Sequence, residues 1–104
     1  MNVQEFVNEL DLIVFKETVV EALYRRGEVQ VVGEGSQGRV VRVVLEGKAI
    51  ILKYFAQDKV SDFMRELKAM VLLRHVAGVQ KVGFVCLDAT ELIFATKDAG
   101  NTLE

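Results

Sequence analysis

The chain has 104 residues, 51% of them from the set AVILMFWYC, with 18 Val and no Pro or Trp; this length allows one domain, residues 1–104, with a radius of gyration of about 13 Å. Thirteen basic against fifteen acidic residues leave a formal charge of −2, the wrong balance for a protein that holds nucleic acid through its phosphates. One Cys and one His exclude a disulfide framework and a structural zinc site, and the longest early apolar run, Leu12 to Phe15, is too short for a signal peptide or a membrane span, so a cytoplasmic setting is expected.

The mean hydropathy of +0.26 is high for so small a body. Part of the aliphatic surface is therefore expected to meet a partner or a second copy of the chain.

In chain order, Val3, Phe6, Val7, Leu10, Val14, Val20, Leu23 and Tyr24 recur at spacings of three and four. They predict one N-terminal helix over residues 3–26, closed by Arg25, Arg26 and Gly27. Leu12, Ile13, Phe15 and Val19 widen its apolar stripe, as in a helix wedged between surfaces. The body, residues 28–104, then opens with three β-branched runs, Val29 to Val32, Val40 to Leu45 and Ala49 to Phe55, read as strands. Glu46-Gly47-Lys48 joins the last two as an antiparallel hairpin.

Helical spacing returns at Val60, Phe63, Met64, Leu67, Met70 and Val71, with Asp58 or Ser61 available as N-cap and Gly78 beyond the helix. Two more strands, Val79 to Leu87 and Glu91 to Thr96, complete the pattern. The fold class expected is α+β: a five-stranded antiparallel sheet with one packed helix and an extra N-terminal helix.

Gly33-Glu34-Gly35-Ser36-Gln37-Gly38 has the form G-x-G-x-x-G. A dinucleotide-binding fingerprint requires a helix to start at the last glycine, but Arg39-Val40-Val41-Arg42-Val43-Val44 reads as a strand. No Gly-Lys-Ser/Thr closes the loop as in a Walker A motif. What fits is a hairpin tip where missing side chains let backbone N–H groups approach a phosphate. Lys53 ends an apolar strand and requires an anionic partner, and Glu66 on the next helix is placed to provide one.

Gly33, Gly35, Gly38, Val40, Lys53 and Glu66 occur in the order G-x-G-x-x-G-x-V, strand Lys, helix Glu, so the stretch from about Val29 to Leu103 resembles the small N-terminal lobe of the protein kinases. Arg65 to Gly78 is also similar to the small atypical kinases of the RIO type. The resemblance implies that the loop, Gly33 to Gly38 with Glu34, Ser36 and Gln37, covers the phosphates of ATP. It implies further that Val40 contacts adenine, that Lys53 reaches the α/β-phosphates while held by Glu66, and that Thr96 stands at the gatekeeper position before a hinge at Lys97-Asp98-Ala99. His75 lies where many kinases place a His.

Ile51 occupies the place of the family's Ala before the Lys, and no H-R-D-type catalytic loop or D-F-G magnesium ligand occurs in the 104 residues. No catalytic residue and no metal ligand is therefore assigned. Mg²⁺ would join ATP only if a large lobe were supplied, and activity of this chain alone is not expected. The partners implied are that missing lobe, a partner kinase, or a second copy. The other function class is a non-catalytic, kinase-like interaction module that binds or inhibits a partner kinase. Plain structural roles suit the remaining candidates: His75 as a helix-end residue, and Cys86 as a small buried hydrophobe in an apolar strand.

Overall fold

A computed structural model describes residues 2–35, 38–73, 82–87 and 90–97. The first helix, α1 (Val3–Glu9), is capped by Asn2, whose side chain accepts from the Glu5 N–H at 2.8 Å. It stops at once: Asp11 takes a left-handed φ of 58°, a conformation that Asp tolerates better than most residues. The chain then lays down a short strand, β1 (Val14–Phe15), before α2 (Glu17–Arg26).

The single helix expected over residues 3–26 is thus two helices and a strand. The physical reason is the sheet. α1 packs with α3 (Val60–Leu72) on one face, where Val7 joins Phe63, Leu67, Val85 and Phe94, whereas α2 packs on the other, where Val20 joins Val41, Val43, Leu52 and Ile93. A segment that serves both faces must turn round the edge of the sheet, and a segment apolar on more than one side is what such a path needs.

The remaining strands are β2 (Glu28–Gly35), β3 (Gly38–Leu45), β4 (Lys48–Phe55), β5 (Val82–Cys86) and β6 (Leu92–Lys97). The sheet order is β1-β5-β6-β4-β3-β2. β2 to β6 pair antiparallel among themselves, but β1 runs parallel to β5, with Val14 opposite Val85 and Phe15 opposite Cys86. Val85 N–H donates to the Ile13 carbonyl at 2.9 Å. The expected five-stranded, wholly antiparallel sheet with two helices is therefore corrected to a six-stranded mixed sheet with three α-helices among the described residues. The sixth strand comes from the apolar run that had read as helix.

Local chemistry sets the rest. Glu46 and Gly47 have φ of 54° and 80°, a two-residue turn that brings Leu45 opposite Lys48 and fixes the β3–β4 register. Residues Gln57–Lys59 form a 3₁₀ turn into α3, and Lys59, without a side-chain cap bond, takes the N-cap position in place of Asp58 or Ser61. Phe63, Leu67 and Val71 bury the α3 stripe. Phe55 meets Phe63 edge-on at 5.5 Å and Phe94 in a stack at 5.8 Å, the offset geometries that aromatic quadrupoles favour. The radius of gyration is 13.2 Å. Among the described residues no helix is long and apolar enough to cross a membrane.

Candidate functional site

Strand alternation places Val40 and Lys53 directly opposite each other on β3 and β4, with Phe94 opposite Lys53 on β6, so all three side chains emerge on the α3 face. The aromatic trio anchors α3 there. Because Glu66 lies one turn beyond Phe63, the same packing brings its carboxylate to the strand: Lys53 Nζ donates to Glu66 Oε1. The ammonium also stands 5.8 Å from the centre of the Phe94 ring. The pair is partly exposed, 29% at Lys53 and 37% at Glu66, so water screens it and its own contribution to folding is under about 1 kcal/mol.

A cleft of about 370 Å³ opens over this pair. Gly35 and Gly38 line one side, Val40, Lys53 and Phe55 its floor, and Glu66 the α3 side, with Arg39 and Tyr54 completing it. Five of the sequence-predicted residues therefore converge on one cleft: Gly35, Gly38, Val40, Lys53 and Glu66. Gly33 and Glu34 lie on the exposed run of β2 and do not line it. Thr96 shares the face of Lys53 but sits opposite Ile51, one row along; it is buried, and its hydroxyl has no hydrogen-bond partner among the described residues. Ser36, Gln37, His75, Gly78 and the expected hinge residues Asp98 and Ala99 fall outside the described residues. Cys86 is fully buried.

The glycines divide by cause. Gly38 has φ of 138°, and a Cβ there would come within 1.9 Å of the Tyr54 carbonyl oxygen, so the sheet itself demands a glycine. At Gly33 and Gly35 a Cβ would meet nothing within 4 Å. Neither packing nor left-handed backbone explains those two.

Arg39, Tyr54 and Phe55 were not singled out from sequence. Arg39 follows Gly38 directly, pairs with Glu91 at 3.6 Å, and lies with its guanidinium carbon 4.3 Å above the centre of the Tyr54 ring. Its position beside a glycine turn was the available signal; the stacking on Tyr54 comes from β3–β4 register, where the two stand opposite each other. On the far side of the sheet the Tyr54 hydroxyl meets that of Tyr24 at 2.5 Å. Burial, and next the bond with Tyr24, push the Tyr54 phenol above its ordinary range.

No protein-family model and no curated protein matches the chain.

Proposed function

We propose that this chain is the nucleotide-binding small lobe of a protein-kinase-like unit. It would receive the phosphates of ATP between the bare backbone around Gly35 and the Lys53 ammonium. The observation that carries this reading is the Lys53–Glu66 pair, formed across the strand–helix boundary in the same cleft as Gly35, Gly38 and Val40. In that role Glu66 holds Lys53 extended, so that its charge is available to an anion at a fixed place. Val40 and Phe55 supply apolar surface, and Ile51, larger than the family's Ala, stands opposite Thr96. The reading is one of binding rather than chemistry, because the family's catalytic-loop and D-F-G motifs are not in these residues; a large lobe would supply them, together with Mg²⁺. The setting proposed is the cytoplasm.

A second reading, a non-catalytic module that docks on or inhibits a partner kinase, is favoured by Leu72 and Leu73 at the end of α3, 70% and 48% exposed. An amide-resolved NMR titration with ATP, with and without Mg²⁺, tests the two. Shifts at Gly35, Gly38, Val40 and Lys53 support the nucleotide reading. Silence at millimolar ATP overturns it for this chain and leaves the docking module.

A further inference from the structure

β2 is an edge strand, and every one of its eight residues is exposed. Its outer N–H and C=O groups face no neighbour among the described strands, and Val31 and Val32 are 59% and 60% exposed. Edge strands usually blunt this hazard with Lys or Pro. β2 has neither. The other edge, by contrast, ends in the two-residue β1.

We propose that β2 pairs antiparallel with β2 of a second copy about a two-fold axis through Gln30, joining two six-stranded sheets into one. The choice of a second copy rests on self-complementarity. Val29-Gln30-Val31 reads the same in both directions, so this axis sets Val29 opposite Val31 of the second copy twice over, on the sheet face that carries Val41 and Val43. The bulge agrees with that register. An axis through Val31 would set Gln30 against the bulged Val32 of the second copy, where the register breaks, whereas the axis through Gln30 keeps Val29, Gln30 and Val31 within the regular part of the strand. The bulge between Val31 and Gly33 then ends the ladder before the glycine-rich tip, so the cleft remains accessible. The formal charge of −2 opposes association little. This inference is independent of what the cleft binds.

Sedimentation velocity of the full chain from micromolar to millimolar concentration tests it. The expected result is a monomer–dimer equilibrium that Val31→Lys weakens by at least about tenfold, with a thermal melt unchanged at concentrations where the parent is monomeric. Because residues facing each other in an antiparallel pair lie about 4.5–5.5 Å apart, within disulfide reach, Gln30→Cys is expected to oxidise to a covalent dimer. Buried Cys86 does not compete. A chain that stays monomeric at millimolar concentration, a dimer indifferent to Val31→Lys, or a Gln30→Cys chain that does not cross-link would each overturn the proposal. The cross-link decides the matter should Val31→Lys fail to fold.

Discussion

Lys53 on β4 and Glu66 on α3 are joined in an ion pair that both leave partly open to water. That exposure separates two quantities that are often confounded, the pair's worth to folding and its worth to binding.

Because the pair contributes under about 1 kcal/mol to stability, Lys53→Met and Glu66→Gln are expected to fold normally, with denaturation midpoints close to the parent. Nucleotide-induced NMR shifts should vanish in Lys53→Met and weaken in Glu66→Gln. A large loss of stability in Glu66→Gln would mean that the carboxylate serves packing rather than Lys53.

Gly35 and Gly38 should respond in opposite ways. Gly38→Ala forces a side chain against the Tyr54 carbonyl at a φ of 138° and is expected to cost more than about 2 kcal/mol by urea denaturation. Gly35→Ala meets no atom within 4 Å and should stay within about 0.5 kcal/mol. Its effect belongs to the ligand: ATP titration should show weaker binding with the fold intact.

The tyrosine pair sets an alkaline limit. An unfolded Tyr loses its proton near pH 10, whereas Tyr54 in the fold is held above that, first by burial and then by its bond to Tyr24. The unfolded chain therefore deprotonates first. The stability contributed by Tyr54 is complete below about pH 10 and is lost as pH rises from there toward the folded value. Denaturation midpoints at pH 8 and pH 11 should show the fall, and Tyr54→Phe should flatten it while losing about 1 kcal/mol at pH 8.

Glu46 occupies a left-handed position that favours Gly, Asn or Asp. Glu46→Gly or Glu46→Asn, in a two-residue turn that the side chain does nothing else to build, is expected to stabilise the chain by about 0.5–1 kcal/mol. A thermal melt measures it.

Much of the body was legible in the sequence because its signals are local. The Glu46-Gly47 turn fixes the β3–β4 hairpin, and the stripe Phe63, Leu67, Val71 fixes α3, each within a few residues. The meeting of Lys53 and Glu66 was legible for the same reason, from an apolar strand ending in Lys and the edge of one helical stripe, whereas the placing of Gly35, Gly38 and Val40 beside them was implied only by the resemblance to the kinase small lobe. The break in the N-terminal segment was not. Val3 to Leu10 and Val20 to Tyr24 keep helical spacing across it, and what opposes a helix at Val14 and Phe15 is pairing with Val85 and Cys86, far along the chain. The run Leu12-Ile13-Val14-Phe15, with β-branched Ile13 and Val14 and aromatic Phe15, carried a strand signal, but a two-residue strand has no alternation to read. Arg39 over Tyr54 is likewise a product of cross-strand register.

The parallel pairing of β1 with β5 joins residues about 70 positions apart, and closing so long a loop is entropically expensive. It is a contact that folding can reward only after the β5–β6 hairpin exists to receive it. β1 is then expected to dock late and to open early. Hydrogen exchange should be faster at Val85, whose amide is held by Ile13, than at the core of β4. Partial opening at that edge would bare the flank of β5.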